Sequence, residues 1–202
     1  GKNSIGLYQL IILGAMNQPN NKQFQRINVV GSSGSGKSTF SRKLSTILSV
    51  THIEIDAIFW QPNWQEPEED IFCSKLSAEI SPLSNWVLDG NYTRTIPIKW
   101  KNVQVVIWLD YSFIRTVFQA IKRSFTRAFS QKELWAGTGN KETWRRLFSK
   151  DSIVLYTIKT HNKVKRKHEL LMLDNSYSQL EFVRLRSPKE AEQFLNRIKE
   201  LS

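Results

Sequence analysis

The chain of 202 residues has no apolar run approaching the ~20 residues a membrane-crossing helix needs, so no membrane partner is expected. It has one cysteine, Cys73, so no intrachain disulfide framework can form, and a reducing, cytoplasmic setting is expected. No second cysteine or histidine near Cys73 suggests a nucleophilic set, and Cys73 reads as helix packing. Of the histidines, His52, His161 and His168, none has metal-ligand spacing. No internal repeat or low-complexity tract is present, and no helix-turn-helix, zinc-finger or RNA-binding signature. Acidic residues are scarce in one block. Residues 111–170 hold 14 basic and 4 acidic residues, so +10 of the net +11 sits there. Residues 1–25 carry +2, residues 26–110 carry −1, and residues 171–202 balance. Such a field attracts polyanions, and nucleotide phosphates and nucleic acid are both candidates.

What is present begins at Ile27. The apolar run Ile27–Val30 feeds the spacing G-x-x-x-x-G-K-[ST], with Gly31, Gly36, Lys37 and Ser38 at the fixed positions and Thr39 following. Between the glycines stand Ser32, Ser33, Gly34 and Ser35. Helical spacing follows at Phe40, Leu44, Ile47 and Leu48. Strand, glycine loop and helix in this order form a phosphate cradle: backbone N–H groups turn inward and the helix start points its positive end at the anion. Lys37 can reach the β- and γ-phosphates, and the Ser38 hydroxyl can ligate Mg²⁺. The alternative is a Gly/Ser turn of no chemical consequence.

The remaining chain alternates strands with helices. Strands are expected at Thr51–Ile55, Trp86–Leu88, Val103–Leu109 and Leu180–Leu185. Helices are expected from Glu66–Asp70 to Ile80, over Tyr111–Arg127, from Ser152 to Leu173, and from Ser187-Pro188 to Leu201. This order implies an α/β fold, a parallel sheet with helices on both faces. Ligands of such sheets bind beyond the carboxyl ends of the strands. Asp56, Asp89 and Asp110 are expected there, beside the glycine loop. In Tyr111–Arg127, Phe113, Ile114, Val117, Phe118, Ile121 and Phe125 share one arc, and Arg115, Lys122, Arg123 and Arg127 the opposite one. Lys141, Arg145 and Arg146 follow across a loop with Gly137 and Gly139. Helix, glycine-bearing loop and helix is the layout of a lid, placed at about residues 123–150. Residues 1–25, with apolar Leu7–Leu13 and a candidate start at Met16, are read as an N-terminal extension outside a single domain of residues 26–202.

These residues resemble the adenylate-kinase-like P-loop kinases, and most nearly the bacterial family named "DNA topology modulation protein". The pieces that carry the resemblance are Gly31–Thr39, His52–Asp56, Phe59–Trp64, Trp86–Tyr92, Val106–Asp110, Glu133–Trp135 and Leu185–Pro188. Leu88–Thr95 and Asn140–Arg146 are also similar to segments of adenylate kinases. The resemblance implies a three-layer P-loop fold, a five-stranded parallel sheet of order 2-3-1-4-5, and an ATP site at Gly31–Thr39. It also implies lid arginines at Arg123, Arg127, Arg145 and Arg146, and a substrate pocket between Asp56 and Arg94.

The expected activity is transfer of the γ-phosphoryl group of ATP, with Mg²⁺, to a nucleoside monophosphate or another small acceptor. Asp89 is the preferred metal-shell carboxylate and Asp110 the runner-up; either could instead cap a strand end. Asp56 suits an acceptor hydroxyl, and Arg94 an anionic group of the acceptor. Trp60 and Trp64 either stack on a ring of the acceptor or pack within the protein. The other reading is a nucleotide-regulated nucleic-acid-binding protein, for which the basic block speaks.

Overall fold

Alternating apolar residues set the layers of the molecule. A computed structural model describes residues 25–150 and 152–201. The extension expected at residues 1–25 therefore lies, apart from Gln25, outside the described residues. Five parallel strands form one sheet: β1 (Arg26–Gly31), β2 (Thr51–Glu54), β3 (Trp86–Asp89), β4 (Val105–Leu109) and β5 (Glu181–Leu185). Their order, β2-β3-β1-β4-β5, is the expected one. With a side-chain period of two, Ile27, Val29, Val87, Val105, Ile107, Leu109, Val183 and Leu185 face one layer. There they meet Phe40 and Leu44 of α1 (Lys37–Leu48) and Phe194, Leu195 and Ile198 of α8 (Pro188–Leu201). Val30, Ile53, Trp86, Leu88, Val106 and Trp108 face the other layer. It contains α2 (Ile55–Phe59), α3 (Glu69–Ile80) and α4 (Ile96–Lys99), with α5 (Phe113–Ser130), α6 (Trp144–Leu147) and α7 (Ile153–Leu173) beyond.

Several boundaries shift for local reasons. β2 stops at Glu54, so Asp56 lies in the first turn of α2 and not at a strand tip. α3 starts at Glu69 and not at Glu66, where Pro67 disfavours helical backbone in the residue before it. α8 starts as expected at Pro188, where the Ser187 hydroxyl accepts a bond from the Glu190 amide at 3.2 Å and the Glu190 carboxylate accepts one from the Arg186 amide at 2.8 Å. Asn28 is buried among apolar neighbours but satisfied: it donates to Leu88 O at 3.1 Å and Gly90 O at 3.2 Å, and accepts from the Trp100 indole at 2.9 Å.

α5 departs most from its apparent pattern. Its buried residues are the small ones, Thr116, Ala120, Ser124 and Ala128. A methyl group on Gly34 would stand 2.7 Å from Thr116 O and 3.0 Å from Ala120 Cβ, so this helix lies directly against the glycine loop. Close approach requires small side chains. The large apolar residues Ile114, Phe118, Ile121 and Phe125 are left exposed, while Arg123 and Arg127 of the supposed outer face are partly buried.

Candidate active site

The glycine loop occupies the turn between β1 and α1, where β1 is flanked by β3 on one side and β4 on the other. This switch point is where such sheets place their ligands. Gly34 and Gly36 hold φ of +82° and +86°, which keeps the loop open around a concave backbone. Gly36 caps α1 without a side chain, and no acidic residue stands in its first turn. No side chain among the described residues caps the first-turn N–H groups of this 12-residue helix, which leaves them to an anion. Asn91 clamps the loop from β3: its side-chain amide donates to Gly31 O at 2.7 Å and accepts from Gly31 N at 2.9 Å.

Lys37 is partly buried, and its ammonium donates to Ser32 O at 3.1 Å. Desolvation lowers its pKa, against the pull of Asp89 and Asp56. Arg123 donates to the Ser33 hydroxyl at 3.2 Å; its pKa is lowered by desolvation and by Arg127, and its Nε is buried without a partner. Two cations thus converge on the loop, and no carboxylate among the described residues is bonded to either. Asp89 is 3% exposed, and burial pushes its pKa up to about 6 although Lys37 and Ser38 favour its charged form. Its Oδ2 is buried with no hydrogen-bond partner among the described residues. An orphaned carboxylate oxygen beside the Ser38 hydroxyl fits a hard divalent cation that takes its remaining ligands from phosphate and water. Among the described residues no cluster of three or more His, Cys, Asp or Glu offers another metal site. Asp110 is engaged differently: Arg184 donates to its Oδ2 at 2.6 Å and 2.9 Å, and the same guanidinium reaches Glu169 at 2.9 Å. That ion pair engages the Asp110 carboxylate.

A second cluster faces the loop from α2 and α3. Asp56 accepts a hydrogen bond from the Tyr92 hydroxyl at 2.6 Å, and burial with this carboxylate raises the Tyr92 pKa. The Arg94 guanidinium lies 5.0 Å from the Phe59 ring centroid and 5.4 Å from that of Phe72, and is otherwise exposed. Trp60 and Trp64 pack with Trp135, with centroids 5.5 to 6.1 Å apart. Trp135 belongs to the segment joining α5 to α6, and Asn140 ties that segment down. It donates to Gln61 O at 2.8 Å and accepts from Trp64 N at 3.0 Å. The Arg146 guanidinium stacks 3.7 Å from the Trp64 centroid. Glu142, buried on the same segment, faces Arg127, Arg146 and Arg123; burial raises its pKa and those charges oppose the shift. Arg145 is exposed.

The expected set therefore divides. Gly31–Thr39, Lys37, Ser38, Asp89 and Arg123 converge. Asp56 and Arg94 stand beside Tyr92 and Phe59, Arg127 and Arg146 surround Glu142, Asp110 is bonded to Arg184, and Arg145 is exposed. Sequence reading missed Asn91, Tyr92, Asn140, Glu142 and Lys99. Asn91 and Tyr92 stood in plain view after Asp89-Gly90. Asn140 acts across 76 and 79 residues, for which no local pattern exists.

The sheet order, the glycine loop at its switch point and the helices around it define the P-loop kinase fold. Two solved structures share it. The shikimate kinase from Acinetobacter baumannii, in complex with shikimate, is similar with a TM-score of 0.54 and 13% identity, over 89% of this chain and 93% of that one. A gluconokinase from Sinorhizobium meliloti 1021 is similar with a TM-score of 0.50 and 12% identity, over 89% of this chain and 91% of that one. No protein-family model and no curated protein matches the chain. The narrower resemblance to the "DNA topology modulation" family thus gains no support.

Proposed function

We propose that the chain is an ATP-dependent phosphotransferase acting on a small polar acceptor. One observation carries the reading: buried Asp89, with an unsatisfied oxygen, stands beside Ser38 and Lys37 at the uncapped start of α1. Gly31–Thr39 would hold the triphosphate and Ser38 with Asp89 the Mg²⁺, which supplies charge neutralisation when bound. No carboxylate among the described residues bonds Lys37 or Arg123, so their charge would meet that which builds on the transferring phosphoryl group. Asp56, held by Tyr92, would orient the acceptor hydroxyl and accept its proton. Arg94 would take an anionic group of the acceptor, with Trp60 beside it. The stretch of about residues 123–150, tied down by Asn140, would act as the lid that brings Arg127 and Arg146 over the phosphates. Both solved structures named above are kinases of small polar molecules, which favours a small acceptor over a nucleic acid.

The test is incubation with γ-labelled ATP and Mg²⁺ against a panel of nucleoside monophosphates, sugar acids and polyhydroxylated carboxylates. Label should move to one class of acceptor, and Asp56→Asn should abolish the transfer while leaving ATP binding intact. ATP binding with no transfer to any acceptor would sink the proposal.

A further inference from the structure

α5 carries an apolar stripe that the described residues leave largely exposed. At about 100° per residue, Ile114, Phe118, Ile121, Phe125 and Phe129 fall within an arc of about 80°. All five are exposed, Ile114, Phe118 and Phe129 by 80%, 65% and 82%. Trp144 extends the stripe, edge-on to Phe125 and Phe129 with centroids 5.5 and 5.9 Å away, and exposed Phe148 continues it. A hollow of about 500 Å³ beside it is lined by Ala128, Phe129, Gln131, Thr143, Trp144 and Arg145, none of them from the glycine loop. Large apolar side chains gathered on a surface mark an interaction site.

The rim of the stripe is positive. Arg115 and Lys122 border it on the same helix, and Lys132, Lys141, Arg145 and Lys150 follow, all exposed. Residues 113–150 hold nine basic and two acidic residues. Of the two acids, Glu142 is buried, and Glu133 accepts the Gly139 amide at 2.6 Å. A second copy of the chain, meeting this face by two-fold symmetry, would set two such rims against each other. A nucleic acid would match the rim but leave the stripe in water. A bilayer with anionic headgroups matches both, because the phenylalanines enter the acyl boundary and the lysines and arginines meet the headgroups. No described helix is long and apolar enough to cross a membrane, so the contact is peripheral. The expectation of no membrane partner rested on spanning segments alone.

We propose that α5, with Trp144 and Phe148, docks the protein on the surface of an anionic membrane. The proposal is independent of the phosphotransfer reading, since Arg123 and Arg127 point to the other side of the helix. The full chain should cosediment with vesicles of phosphatidylcholine containing about 30% phosphatidylserine and not with phosphatidylcholine alone. Phe118→Gln/Phe129→Gln should weaken binding to the anionic vesicles by roughly tenfold or more. Arg115→Glu/Lys122→Glu should do the same, and each variant, altered only at exposed positions, should keep the wild-type melting temperature. If a double variant melts early, the single Phe118→Gln is read in its place. Absence of wild-type binding overturns the proposal. So does full retention by the phenylalanine variant, which marks plain electrostatic adsorption. A dimer broken by that variant, in a protein indifferent to vesicles, assigns the stripe to a second copy and overturns it. Duplex DNA binding lost in both variants, again without vesicle binding, also overturns it.

Discussion

Asp89 is an expensive residue to keep ionised. Its pKa of about 6 lies above the ordinary carboxylate value of 3.8, so the folded chain binds this proton more tightly than the unfolded one. The contribution of Asp89 to stability is therefore full below about pH 4 and lost as pH rises through 6. The shift corresponds to about 3 kcal/mol, an upper bound for one buried group. Asp89→Asn keeps the shape and removes the charge. It should raise the melting temperature at pH 8 without nucleotide, with the gain fading towards pH 4, and should lower Mg²⁺-dependent phosphotransfer at least ~100-fold. Melting curves across that pH range check the first half and turnover the second. Lys99 poses the converse case. It is 1% exposed, and its ammonium donates to Gly90 O at 3.2 Å and to Asn91 O, beneath the loop that carries Asp89. Burial and Lys167 bring its pKa down to about 7. The unfolded chain holds this proton up to about 10.5, so the cost of burial is full below pH 7 and relieved as pH rises to 10. Lys99→Met strips two carbonyls of their donor and should destabilise the fold by about 2–4 kcal/mol. Denaturant titrations should show that deficit growing from pH 7 to pH 10.

At the scale of elements, the sheet and the glycine loop were legible, while the buried face of α5 and the contacts of the 131–147 segment were not. The strands announce themselves because apolar side chains are obligatory on both faces of a covered parallel sheet. The G-x-x-x-x-G-K-S spacing announces the cradle because backbone geometry requires those glycines. α5 misleads because its contact with Gly34 demands Thr116, Ala120, Ser124 and Ala128, which carry no hydrophobic signal, while its strongest apolar arc faces water. The tie between Asn140 and the Gln61–Trp64 turn was invisible because it joins two irregular segments far apart in sequence. Asn140→Ala removes both bonds at once and leaves Gln61 O and Trp64 N to water. Trp60, Trp64 and Trp135 should loosen together, giving a red-shifted tryptophan emission. Under the proposed mechanism this tie couples the lid to the acceptor loop, so kcat/KM should fall roughly tenfold while ATP affinity changes little. Unchanged emission with unchanged kcat/KM would show that the tie has no part in closure.

For the whole molecule, the decisive fact is an uneven charge: +11 in total, with +10 between residues 111 and 170. Lys37 and Arg123 gather at the glycine loop, opposed chiefly by Asp89 and Asp56, and Arg127 and Arg146 stand around Glu142 beside it. The ligand-free fold thus bears a repulsion that a polyphosphate relieves. A ligand that binds only the folded state at 100 times its dissociation constant stabilises by about 2.7 kcal/mol. In a domain of this size that moves the melting temperature by about 5–10 °C. Mg²⁺ with ATP should produce a shift of that order in the wild type, and Lys37→Ala should lose most of it. Salt separates the electrostatic share. Raising ionic strength from about 0.05 M to about 0.5 M shortens the screening length severalfold. The ligand-free protein should then melt higher, and the further shift from nucleotide should shrink. A ligand-free melting temperature that falls with salt would mean that attractive pairs such as Arg184 with Asp110 and Glu169 outweigh the repulsion around the loop. In that case nucleotide binding would draw its strength from the backbone cradle and the α1 terminus, and Lys37→Ala would keep most of the thermal shift.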